Sequence, residues 1–127
     1  MIDDYEQAME LLHEMEAHLP IPARPIATMV RALRDQGQRI SRDRKLSIQS
    51  VFYAGDEAGI VCAIEPLEGI KVALVVSVTH LQIDLRHPLA KRIRAYQQER
   101  KRRLAQAGGA REPSSMTLYP RKEKRRR

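Results

Sequence analysis

Between Lys45 and Ile83 the apolar residues stop recurring every three or four positions and begin to alternate or to run on as β-branched stretches. This switch restricts the chain to folds that contain an antiparallel sheet. Leu46, Ile48 and Phe52 alternate with Ser47, Gln49 and Val51, which predicts a strand with the first set on one face. Gly55-Asp56-Glu57-Ala58-Gly59 follows as a hairpin loop with glycine at both ends, and a second strand is expected over about Ile60 to Glu65. Pro66-Leu67-Glu68-Gly69 reads as a second turn, and Ile70 to about Ile83 as one long central strand of a three-stranded meander.

Helical periodicity brackets this sheet. Asp3 can cap a helix with Glu6 reaching back to it, and Tyr5, Ala8, Met9, Leu12, Met15 and Leu19 then form one apolar stripe over about residues 3 to 18. The opposite face carries Glu6, Glu10, Glu14 and Glu16. Pro20 and Pro22 force an extended connection, and Pro25 suits the first turn of a second helix buried through Ile26, Met29, Val30 and Leu33 and ended by Gly37. After His87-Pro88 a third helix presents Leu89, Ile93, Tyr96, the stem of Arg100 and Leu104, and stops near Gly108-Gly109.

The expected architecture is therefore α+β in the order ααβββα, with the helices on one face of the sheet. A length of 127 residues suits one domain, over residues 1–107. Residues 108–127 contain few apolar side chains and are expected to be a disordered basic tail. The long apolar third strand would need cover or pairing across a two-fold axis, so a homodimer is expected. A single cysteine, Cys62, excludes an internal disulfide. The absence of a long apolar run excludes a membrane-spanning helix, and a cytoplasmic protein is expected.

Charge divides the chain more sharply than its net value of +7 suggests. Residues 1–85 carry 8 Lys and Arg against 13 Asp and Glu, and residues 86–127 carry 15 against 3. Such a density of positive charge points to an acidic partner, RNA or DNA above all, because each cation placed near a phosphate releases condensed counterions. The candidate contacts are Lys91, Arg92, Arg94, Lys101, Arg102 and Arg103 on the third helix, and Arg121, Lys122, Lys124, Arg125, Arg126 and Arg127 in the tail. Only Tyr119 sits among the tail charges, so no stacking platform accompanies them. A helix-turn-helix does not fit, since the connection through Leu19 to Arg24 holds two prolines and lacks the short glycine turn.

Two other readings compete. In the first, the chain is a protein–protein adaptor that uses the acidic first helix or the aromatic hairpin with Phe52 and Tyr53, and the tail only solubilises. In the second, His80, Asp84 and His87 form a metal or catalytic site, although zinc would need further ligands and Cys62 and His13 have no ligand-like spacing to them. Asp56 and Glu57 at the hairpin tip read as turn residues, and Cys62 as a buried thiol. No phosphate-binding glycine loop, G-x-S-x-G, paired C-x-x-C or H-E-x-x-H occurs. The sequence thus assigns no catalytic residue and no cofactor, and favours a non-catalytic binding protein.

Overall fold

The computed structural model describes residues 3–108 and 116–120 of the chain. Its elements are α1 (Tyr5–Ala17), β1 (Ile21–Pro25), α2 (Ala27–Asp35), β2 (Leu46–Tyr53), β3 (Ile60–Ile64), β4 (Val72–Ser77), β5 (Leu81–Ile83), α3 (Ala90–Gly108) and β6 (Met116–Pro120). The α+β class holds, but the sheet is larger than three strands and strands interleave with helices. Its order is β5-β1-β2-β3-β4-β6, antiparallel throughout.

Three departures from the sequence reading produce the difference. Residues 21–25 are a strand, not a connection, with Ile21, Ala23 and Pro25 buried and Pro22 and Arg24 exposed. Proline weakens a ladder because it has no donor, and here the strand is only five residues long and ends on one of its two prolines. The expected strand from Ile70 to Ile83 is divided, because the Ser77 side chain accepts the Thr79 N–H and caps a 3₁₀ turn at Val78–His80. Finally, within the segment expected to be a disordered tail, Met116–Pro120 pairs with β4, and residues 109–115 and 121–127 lie outside the described residues. That pairing fills the edge of β4 and removes the reason for expecting it to pair across a dimer axis.

The short turn between β4 and β5 forces the sheet to curl. In a flat sheet these strands, four intervals apart, would be separated by roughly 19 Å at about 4.8 Å per strand. The chain from Ser77 to Leu81 spans at most about 14 Å when fully extended. The sheet therefore bends round, and its concave side encloses Ile21, Ile48, Ile60, Cys62, Val76 and Val78, all essentially inaccessible. Helix α1 contributes Leu11, Leu12 and Met15, α2 Met29 and Leu33, and α3 Ile93 to the same core. The predicted stripes of these helices are buried or half-buried, apart from Tyr5, which is 51% exposed.

A bulge corrects the predicted faces of β2. Ile48 pairs with Ile64 but Ser50 pairs with Ala63, so two residues of β2 answer one of β3. The extra residue reverses the alternation. Val51 is consequently buried and Phe52 is 48% exposed, the opposite of the simple period-two reading.

Asp3, the first of the described residues, is held in a buried polar cluster. Asp4, not Asp3, caps α1 by accepting the Gln7 N–H at 3.2 Å, which frees Asp3 to point inward. The Asp3 carboxylate accepts from the Arg100 guanidinium at 3.0 Å and from the hydroxyls of Tyr96 at 2.7 Å and Tyr53 at 3.0 Å. Arg100, with its side chain 1% exposed, also donates to the Asp56 carbonyl at 2.6 Å, and the Tyr96 hydroxyl accepts from the Ile60 N–H at 3.1 Å. One cluster therefore joins the chain start, the β2–β3 hairpin and α3. Gly59 makes the close approach possible: at φ +66° it takes a conformation costly to other residues, and a side-chain carbon there would collide with the Tyr96 hydroxyl.

Removing one partner of a buried ion pair leaves the other charge uncompensated, so Arg100→Met is expected to lower the unfolding free energy by about 3–5 kcal/mol. Urea unfolding of the variant checks this, and a loss well under 1 kcal/mol would show that the pair does not hold the hairpin to α3. Burial, and then the Asp3 charge, push the Tyr53 hydroxyl from its ordinary 10.0 up to about 12. Tyr96 is raised as well, by burial first and then by its hydrogen bond to Asp3. Both groups are raised in the folded state, so their contribution is complete below their ordinary value and is lost as pH rises through the folded ones. Stability measured against pH is expected to fall from about pH 10 upward, with a shallower fall in Tyr96→Phe.

Candidate nucleic-acid interface

Helix α3 carries its cations on three stripes, which face different surroundings because residues three and four apart share a side. Arg94 and Lys101, with Gln97 between them, look toward the 3₁₀ turn and β5 and line a groove of about 240 Å³ with Thr79, Gln82 and Leu85. Gln97 clips this groove shut at its base, donating to the Val78 and Leu81 carbonyls at 2.7 Å each. Arg92 and Arg103 look the other way, into a cleft of about 560 Å³ against α1 that also holds Asp4, Glu10 and Glu99. Lys91 and Arg102 are exposed.

The six helix residues singled out by sequence are therefore not equivalent. Glu99 accepts from Arg102 at 2.6 Å and from Arg103 at 2.6 Å. These bonds hold the Glu99 carboxyl down at about 2, with Arg102 contributing most. Arg102 and Arg103 are thus partly neutralised, and Arg92 and Arg103 share their cleft with the acidic face of α1. Arg94 and Lys101 are the helix cations beside β5, and Lys91 is exposed. The six tail residues, Arg121, Lys122, Lys124, Arg125, Arg126 and Arg127, lie outside the described residues.

A second basic surface adjoins the first and was not foreseen. Arg24 stands opposite Gln82 across the β1–β5 pairing, and continuing the β1–β2 register one residue past Ala23–Leu46 brings Lys45 to its other side. Arg24, Lys45 and Arg86 line a groove of about 440 Å³, which shares Gln82, Ile83 and Leu85 with the groove beneath Arg94 and Lys101. Its carboxylate, Asp84, is held by Arg86 through Nε at 3.3 Å and Nη2 at 3.2 Å, and the Arg86 side chain and backbone bonds lower it to about 2. The two grooves together present five cationic side chains and one carboxylate that is already paired. The period-two alternation Ile21, Ala23, Pro25 against Pro22, Arg24 was the available signal for Arg24, and the prolines concealed it.

The residues considered for a metal site do not form one. His80 lies in the 3₁₀ turn, Asp84 is bound to Arg86, and the His87 ring packs edge-on against His18 at 5.5 Å while its Nδ1 accepts the Leu89 N–H at 3.0 Å. Burial, and then the nearby His18, lower the His87 pKa. Among the described residues no group of three His, Cys, Asp or Glu side chains could hold a metal ion. Burial pushes the Cys62 thiol up to about 12, which removes it as a nucleophile near neutral pH. The α1–α3 cleft is larger than either groove beside β5, but its polar floor, Asp3, Tyr96 and Arg100, is already engaged in hydrogen bonds centred on Asp3. No helix among the described residues is long and apolar enough to cross a membrane.

Comparison with protein-family models, with curated proteins and with solved structures gives no match. Any function must accordingly be argued from the side chains themselves.

Because Glu99 holds two of the cations, Glu99→Gln is expected to release them toward any polyanion. The slope of log affinity against log salt should steepen by up to about 2, the equivalent of two further phosphate contacts. Fluorescence titration of a labelled oligonucleotide at several salt concentrations measures it.

Proposed function

We propose that this protein is a non-catalytic nucleic-acid-binding protein that contacts the phosphate backbone of RNA or DNA. The contacts are the two grooves on either side of β5, α3 through Lys91, Arg94 and Lys101, and the basic segment 121–127. The observation that carries this is the contiguity of Arg24, Lys45 and Arg86 with Arg94 and Lys101 around one short edge strand. These residues come from β1, the residue before β2, the turn before α3, and α3 itself. Folding therefore gathers cations that are dispersed over residues 24–101, while the acidic residues of α1 stand on another side of α3. Phosphate binding needs such a predominantly cationic cluster, five cations to the one carboxylate that Arg86 holds, and no particular base contact, and the scarcity of exposed aromatics there fits backbone recognition better than stacking.

The test is binding of the full chain to a mixed pool of short RNA and DNA over a salt series. Log affinity is expected to fall linearly with log salt, and Arg24→Gln, Lys45→Gln, Arg94→Gln and Lys101→Gln should each flatten the slope by roughly 0.9 on duplex DNA. Removal of residues 121–127, which leaves β6 in place, should flatten it further. Absence of binding at low salt, where surface charge is least screened, would overturn the proposal.

A further inference from the structure

The ridge between the two grooves is built to protrude and to keep its shape. Asp84 Oδ1 accepts the Arg86 N–H at 2.9 Å, the Arg86 guanidinium closes back on the same carboxylate, and the His87 N–H donates to the Asp84 carbonyl at 2.9 Å. Leu85 sits inside this hydrogen-bonded turn yet is 70% exposed, the most exposed of the large apolar side chains among the described residues. Exposed Gln82 lies beside it, and cations flank the pair on both sides: Arg24 and Lys45 toward β1 and β2, Arg94 and Lys101 toward α3.

A single phosphate row would satisfy one of these grooves only. Two phosphate rows with a gap between them are what a duplex offers across a groove. The ridge presents one large apolar side chain, Leu85, beside one exposed amide, Gln82, a combination suited to the narrow minor groove of B-form DNA, roughly 6 Å wide. It would leave most of the wide, shallow minor groove of A-form RNA unfilled. Proteins that bind in the minor groove pair amide side chains with its acceptors and drive an apolar side chain between base steps.

Resting on the nucleic-acid reading above, we infer that the Asp84–Arg86 turn enters the minor groove of duplex DNA. Leu85 acts there as a wedge between base pairs, and Gln82 faces the base edges. The cations on either side neutralise the two phosphate rows. The narrower, more negative minor groove of A·T-rich sequences attracts such a surface most strongly.

The experiment uses the full chain with four probes of equal length: A·T-rich duplex DNA, G·C-rich duplex DNA, single-stranded DNA and duplex RNA. End-to-end energy transfer reads bending, and 2-aminopurine at the central step reads unstacking. A·T-rich duplex DNA is expected to bind tightest, to bend by roughly 20–90° and to brighten at the 2-aminopurine. Leu85→Ala, at an exposed position, should abolish bending and brightening while leaving the salt slope unchanged. Salt-dependent binding of all four probes with equal affinity, or a duplex that stays straight and stacked, would overturn the wedge and leave the phosphate contacts standing. Failure of every probe to bind would overturn both.

Discussion

Asp3 and Arg100, 97 positions apart in the chain, are joined with almost none of their side-chain surface exposed, and the arrangement of the outer surface depends on that contact. An isolated buried charge is costly, and this pair persists because each member has further partners: two tyrosine hydroxyls for the carboxylate, the Asp56 carbonyl for the guanidinium. The cluster fixes the rotation of α3 about its own axis. With Tyr96 and Arg100 turned inward, the stripe of Arg92, Glu99 and Arg103 must face α1, and the stripe of Arg94 and Lys101 must face β5. The helix therefore sorts its own charges. Those that meet acidic groups are compensated, and those beside β5 are not.

The curl of the sheet completes the sorting. A flat sheet would leave β5 far from β4, whereas the short 3₁₀ turn brings the chain from one side of the barrel-like curve to the other and lays β5 against β1. That placement puts Gln82 beside Arg24 and near Lys45, while Gln97 ties the strand to α3. The grooves beside β5 are thus products of long-range topology. No single helix or strand contains more than two of their five cations.

This explains what the sequence could and could not disclose. Helical stripes were legible because α1, α2 and α3 bury one side each, so Met15, Met29, Leu33 and Ile93 recur at the right spacing. The β2–β3 hairpin was legible from its glycines, and Gly59 has an added reason in the closeness of Tyr96 and Arg100. Strand β1 was hidden because its prolines mimic a connection, and the division of the 70–83 run was hidden because Ser77 looks like any polar strand residue until its side chain is seen to cap a turn. The faces of β2 were inverted by a bulge that leaves no compositional mark. At the candidate site, α3 was identified as basic, but which of its cations are compensated depended on Glu99 and on the approach of α1. The contribution of Arg24, Lys45 and Arg86 required knowing that β1, β2 and β5 are neighbours.

The most direct test of this account is a map of backbone amide shifts as duplex DNA is titrated into the isotope-labelled full chain. The largest changes are expected at residues 23–24, 45, 82–86 and 94–101, with α1 and the hairpin at 54–59 little affected. Changes centred on α1, on Tyr5 and Phe52, or on the α1–α3 cleft would contradict it and would make that other surface the site of contact.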